Sequence, residues 1–167
     1  MIYSINIESP LGLLRAEADE NAITMLQFDS PSTTANAANP VLERLRAELA
    51  EYFAGERTEF SLPVKPAGTN FQNRVWIELQ RIPHGRTISY HELAERIGQP
   101  TADRAVAQAN GANPICILIP CHRVIGKDGR LTGYSAGLER KRFLLGLEQR
   151  DAITTNNLRL EVEQCSC

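Results

Sequence analysis

Cys121 stands directly after the apolar run Ile115-Cys116-Ile117-Leu118-Ile119 and Pro120, and directly before His122. A thiol is mostly protonated near neutral pH, and the thiolate is the nucleophile. A neighbouring histidine can accept the proton, directly or through a water. A carboxylate can then orient the imidazole and stabilise its cation. The same dipeptide also fits a buried structural cysteine beside an incidental histidine. Zinc deaminases use an H-x-E motif and a later P-C-x-x-C. Here Pro120-Cys121 is followed by His122-Arg123-Val124, and His91 adjoins Glu92 directly, so that pattern is broken. A cysteine hydrolase needs Cys, His and an Asn or Asp converging in space, which spacing alone leaves open.

The remaining candidates are weaker. Cys165-Ser166-Cys167 reads as an exposed pair of tail thiols, and the four cysteines form no pair of CxxC motifs. No metal site and no cofactor are expected. His84, in a turn, and His91, on a capped helix, read as surface or edge histidines. Cysteines clustered late in the chain do not resemble a secreted disulfide framework, so reduced thiols are expected. Met1 to Asn6 shows no basic segment leading into an apolar one, and Ile115–Ile119 is far too short to span a bilayer. A cytoplasmic protein with no membrane partner is the expectation.

The elements that must position Cys121 can be read on either side of it. The fold class is α+β: a small N-terminal α/β unit with an antiparallel sheet, then a mainly helical C-terminal domain containing a helix-turn-helix. In 1–69, Tyr3, Ile5 and Ile7 alternate with polar neighbours, Pro10-Leu11-Gly12 is a turn, and Ala22 to Phe28 is a second β-like run. Ser30 to Asn39 is a polar loop. Pro40 then opens a helix carrying Val41, Leu42, Leu45, Leu49, Tyr52 and Phe53, and Gly55 stops it.

In 70–150 the character changes. Thr69 and Gln72 form a capping-box pattern before a helix striped by Phe71, Val75, Trp76, Leu79 and Ile82. Ser89-x-x-Glu92 opens a short helix that Gly98 closes. Ala102 to Asn110, ended by Gly111, completes a helix-turn-helix outline. Its alanines permit a close approach to a surface, or simply good helix packing. Asn113-Pro114 breaks the chain direction, and the apolar run beyond is a buried strand or extended segment. Lys127-Asp128-Gly129-Arg130 is a turn, and Gly133 to Gly137 a flexible loop. A last helix covers about Leu138 to Leu147, with Arg140, Lys141 and Arg142 on a basic face. Residues 151–167 form a tail with little periodicity.

The formal net charge of −2 covers an asymmetry. Residues 1–69 hold 5 basic and 10 acidic side chains, whereas 70–150 hold 12 and 7. A basic central part suits a local phosphate-binding face, or merely solubilises its own domain.

Ile117-Leu118-Ile119-Pro120-Cys121-His122-Arg123-Val124-Ile125 resembles the active-site signature of the methylated-DNA–protein-cysteine methyltransferases, or 6-O-alkylguanine-DNA alkyltransferases. The resemblance extends through Phe71–Trp76, Thr87–Tyr90, Arg104-Ala105-Val106, Asn110–Pro114, Gly133–Gly137, Lys141–Leu145 and Glu148, in order, over about half the chain. It implies DNA repair by transfer of an alkyl group from the guanine 6-oxygen to Cys121, irreversibly, because a thioether is a poor leaving group. His122 would take the thiol proton through a water, with Glu148 as the orienting carboxylate. The target base would be flipped out of the duplex. Arg104 would fill the gap, and Tyr90 would lie at the flipped nucleotide. Cys121, Val124, Tyr134 and Ser135 would hold the base, with Arg123 also placed among the DNA-contacting residues. Ala105 and Ala107 would line the minor-groove approach. Asn113 would be a hinge. The implied partner is double-stranded DNA containing alkylated guanine, met by a monomer, with cooperative binding left open.

Two departures stand out. Ala107-Gln108 replaces a common glycine pair, which puts DNA affinity in doubt. No Cys or His precedes His84, so the structural zinc of some relatives is not expected. Three rival readings are a damage-recognising relative lacking the acceptor cysteine, a transcription regulator, and a cysteine hydrolase. Cys121 with His122 and Glu148 opposes the first, and 167 residues leave no room for the extra domain of the second.

Overall fold

The structure, a computed structural model, describes residues 1–31 and 37–156. It divides into two compact units. The first holds Met1–Ala67 with Pro114–Leu118; the second holds Gly68–Asn113 and the chain from Ile119.

The first unit is built on an antiparallel meander of β1 (Tyr3–Ser9), β2 (Gly12–Ala18) and β3 (Ile23–Phe28). Three strands form where the sequence marks two β-like runs, because Leu14, Ala16 and Ala18 alternate inward just as Ile5 and Ile7 do. Helix α1 (Pro40–Phe53) lays Leu42, Leu45, Leu49 and Tyr52 in this unit's core. Pro40 occupies the first turn as expected, and the cap is Asn39, whose Oδ1 accepts from the Leu42 amide at 2.9 Å. Buried Glu48 is satisfied by Ser61 and by Arg57 at 3.0 Å.

Pro114–Leu118 lies in the first unit although sequence reading placed it in the second. The β3 residue Leu26 donates to Pro114 O at 2.9 Å and accepts from the Cys116 amide at 2.9 Å. The expected strand is only one bridge long. It ends because Ile117 takes φ 71° and Leu118 N bonds back to Cys116 O at 2.8 Å, a γ-turn. A β-branched residue at positive φ is strained, so the surrounding contacts must hold it there.

The second unit contains α2 (Asn70–Leu79), β4 (Ile88–Ser89), α3 (Tyr90–Arg96), α4 (Asp103–Gly111), a 3₁₀ turn (Cys121–Arg123), β5 (Val124–Ile125) and α5 (Leu138–Asn156). Both halves of the Thr69–Gln72 capping box form. Only the Ser89 half of the second box does, since Glu92 turns its carboxylate to Arg96 at 2.8 Å. Helix α3 closes in a Schellman motif: Gln99 N bonds Ala94 O and Gly98 N bonds Glu95 O, with Gly98 at φ 78°. That left-handed residue lets α4 follow after a short turn. Helix α5 runs through Asn156, beyond the boundary read near Leu147; residues 157–167, with Cys165 and Cys167, lie outside the described residues.

Trp76 anchors the second unit, 1% exposed, its indole N–H on Ala109 O at 2.8 Å. A Cβ at Gly68 would sit 2.5 Å from the Trp76 ring. Gly68→Ala is therefore expected to destabilise by about 1–3 kcal/mol. Chemical denaturation checks this; an unchanged midpoint would show that the ring can yield.

Candidate active site

Pro120 sets Cys121. Its φ −80° and ψ 65° make an inverse γ-turn, closed by Cys121 N on Ile119 O at 2.8 Å. The 3₁₀ turn that follows presents Cys121, His122 and Arg123, all buried. Two asparagines of the α4 end hold the backbone around it. Asn113 Nδ2 donates to Ile119 O at 2.7 Å, and Asn110 Nδ2 to Cys121 O at 3.2 Å. Beyond the turn, β5 pairs in parallel with β4, Val124 facing Ile88.

Cys121 is a free thiol, 4% exposed. Burial pushes its pKa up, opposed by a hydrogen bond from Asn113 and by the charge of Lys141. It therefore rests as a thiol and needs a base. His122, fully buried, bonds Glu148 Oε2 through Nε2 at 2.8 Å. Its Nδ1 is buried with no protein partner, which leaves that nitrogen to accept a proton. Burial lowers the His122 pKa, Glu148 pulls it back up, and Arg123 and Lys141 lower it again, so the ring rests neutral.

Glu148 lies on α5. Burial works against its charge, but His122 and Arg123 outweigh it and hold the carboxyl well below the usual range. Arg123 is not at a DNA face as sequence reading had it. It is buried, and its guanidinium is committed to both oxygens of Glu148 and to Ile82 O. His84, expected at the surface or an edge, is half-buried at an edge of this site, its Nδ1 3.9 Å from Glu148 Oε2.

Lys141 departs from the expected basic face. It is fully buried, with Nζ on Val124 O at 2.6 Å and Thr132 O at 2.9 Å. Burial brings its pKa down to about 8, with Cys121 pulling the other way. Tyr90, the first residue of α3, shares the Thr132 carbonyl through its hydroxyl at 2.8 Å, and Lys141 Nζ stands 5.9 Å from its ring centroid.

A cavity of about 630 Å³ opens beside this node, lined by Tyr90, Arg104, Ala107, Tyr134 and Ser135 together with Gly133. Five residues expected at the DNA thus share one recess, a size ordinary for a ligand site. Arg104, Ala105 and Gln108 are exposed on one face of α4, while Val106 and Ala109 are buried. Val124, the first residue of β5, is buried, and its carbonyl accepts from Lys141.

Sequence reading missed Asn110, Lys141 and the role of Arg123. The helical count did carry a signal: Lys141, Leu144, Leu145 and Glu148 recur at i, i+3, i+4 and i+7, one face of α5. Among the described residues no cluster of His, Cys, Asp and Glu could hold a metal ion.

Two family descriptions match this chain. "6-O-methylguanine DNA methyltransferase, DNA binding domain" matches residues 70–150, and "6-O-methylguanine DNA methyltransferase, ribonuclease-like domain" matches 1–66. A methylated-DNA–protein-cysteine methyltransferase of Mycolicibacterium paratuberculosis is 49% identical over 155 residues, covering 90% of this chain and 94% of that one. The crystal structure of Mycobacterium tuberculosis O6-methylguanine methyltransferase superposes with a TM-score of 0.83 at 44% identity, over 90% and 94% of the two chains. The Mycobacterium tuberculosis protein in complex with DNA gives 0.81 at 45%, over 90% and 93%.

Proposed function

The chain belongs to the 6-O-methylguanine DNA methyltransferase family, and from that premise we propose that it repairs DNA by moving the alkyl group of a 6-O-alkylguanine onto Cys121, once per molecule. The observation that carries this reading is the buried His122–Glu148 pair in the turn that presents Cys121. His122 is fixed on Glu148 at 2.8 Å through Nε2, and its other nitrogen is left for the proton.

The reaction follows from these groups. His122 Nδ1 accepts the Cys121 proton through a water. The sulfur attacks the alkyl carbon; the S–C bond forms as the C–O bond breaks, and the bonding pair leaves with the guanine 6-oxygen. The departing guanine takes up a proton, so the thiol's hydrogen is balanced by that of the restored base. Glu148, already ionised, stabilises the imidazolium while it lasts. Nucleophile, base and orienter are all side chains, so no cofactor enters.

Binding uses the helix-turn-helix of α3 and α4. The exposed Arg104, Ala105 and Gln108 form the approach to the minor groove of double-stranded DNA, with Arg104 entering the stack where the base has left. The flipped guanine occupies the recess of Tyr90, Tyr134 and Ser135. Asn113 acts as the hinge joining α4 to the acceptor turn. A monomer suffices for this geometry, and action in the cytoplasm fits the reduced thiol that the reaction requires.

Titration of a duplex carrying labelled 6-O-methylguanine tests the proposal. Label lost from DNA should saturate at one per protein molecule. Continued loss beyond one equivalent would overturn single use, and turnover on esters or amides without loss of label would favour a cysteine hydrolase.

Alkylation should also weaken the fold. Cys121 is 4% exposed, and an added methyl overpacks its site by about 1–3 kcal/mol. The melting temperature is expected to fall by roughly 2–12 °C after reaction; an unchanged or higher value would contradict the packing argument.

A further inference from the structure

Arg123 follows the proposed base directly in sequence, yet its guanidinium is buried and committed to the protein itself. Nε donates to Glu148 Oε1 at 2.8 Å, Nη2 to Glu148 Oε2 at 2.9 Å, and Nη1 to Ile82 O at 2.6 Å. We propose that Arg123 is a positioning residue for alkyl transfer: it clamps Glu148 in the plane where Oε2 meets His122, and keeps the carboxylate ionised on both sides of the proton transfer.

The geometry explains why a clamp is needed. Glu148 Oε2 accepts from His122 and Arg123 together, while Oε1 accepts from Arg123. A bidentate fork fixes a carboxylate in rotation as well as position, which one imidazole bond cannot do. The third nitrogen ties the fork to Ile82, just past the end of α2, so the 3₁₀ turn, α5 and the α2 end share one node.

The charge balance matters equally. His122 is faced by Glu148 and Lys141 from α5 and by Arg123 from its own turn, which Cys121 opens, and His84 stands against the same carboxylate. Without Arg123 the buried carboxylate would be left to His122 and His84. It would then draw a proton onto the ring, and a protonated ring cannot accept the thiol's. With Arg123 in place the carboxylate is neutralised from the far side, and the ring stays a base.

This inference rests on the proposed alkyl transfer, and its test separates the two. Transfer rates to Cys121 would be measured against pH for wild type, R123K, R123Q, E148Q and R123K/E148Q, with circular dichroism confirming the fold. R123K keeps the charge and loses the fork, so it should slow transfer roughly 10–100-fold through misplacement, with the acid limb of its pH profile in place. R123Q should move that limb to higher pH. In the E148Q background R123K should slow transfer no further, because its partner is already gone. Equal slowing by R123K with and without Glu148 would overturn the clamp, as would wild-type rates in R123K or an unmoved limb in folded R123Q. If R123Q fails to fold, R123K and the double variant still decide. A wild type that transfers nothing would instead refute the alkyl-transfer reading.

Discussion

Cys121→Ala is expected to fold, to bind a duplex carrying 6-O-methylguanine, and to form no S-alkylated protein at all. The chain has a second buried free cysteine, Cys116, but it bonds its backbone to β3 in the first unit, outside the relay of His122 and Glu148. The site should tolerate alanine because sulfur contributes little beyond packing in the resting thiol; a cost of about 1 kcal/mol is expected from the small cavity. Cys121→Ser should be as inactive, since a hydroxyl gives up its proton far less readily than a thiol. Mass analysis of the protein and retention of the methyl group in DNA check both. Stoichiometric methyl loss in Cys121→Ala would move the acceptor elsewhere.

Glu148→Gln should cost both stability and transfer. Removing one partner of a buried ion pair leaves the other charge uncompensated, a loss of about 3–5 kcal/mol. Arg123 would be that charge, since both of its bonds to Glu148 weaken together. The same pair dictates how wild-type stability responds to acid. Glu148 has a folded pKa below its unfolded value, so its contribution is complete above the unfolded carboxylate range and is lost as pH falls through the folded value. His122 has a lowered pKa as well, so the unfolded chain takes up its proton first as pH drops below the ordinary imidazole range near 6.5. Both groups therefore make the fold weaken on acidification. Denaturation midpoints measured across that range should fall steadily in wild type. In Glu148→Gln the part of the slope in the carboxylate range should shrink. An equal slope in both proteins would show that the carboxylate does not carry the linkage.

Much of this site could be read in the residues, but only where local rules decide. Thr69 with Gln72, Pro40 in the first turn of α1, and Gly98 closing α3 are local devices, and each forms as the spacing indicates. Cys121 and His122 are adjacent, so their place in one turn needs no tertiary information. Glu148 lies 26 residues from His122; only the family resemblance pointed to it. Arg123 and Lys141 went astray for one reason. A basic residue in sequence shows its charge and not its burial, and a solvated or DNA-facing side chain is the ordinary reading. Lys141 sits between Arg140 and Arg142, which hides that it falls in phase with Leu144, Leu145 and Glu148. The run Ile115–Ile119 reads as one extended segment because γ-turns at Ile117 and Pro120 have no strong sequence signature. The turn at Pro120 leads directly into the 3₁₀ turn that presents Cys121.

The most direct test is intact and peptide mass spectrometry after incubation with a duplex carrying 6-O-methylguanine. The account predicts a gain of one CH₂ per protein, confined to the peptide that contains Cys121, with unmodified guanine restored in the DNA. A protein of unchanged mass that still holds the damaged duplex would contradict it, and would leave this chain a recogniser of the lesion with its thiol unused.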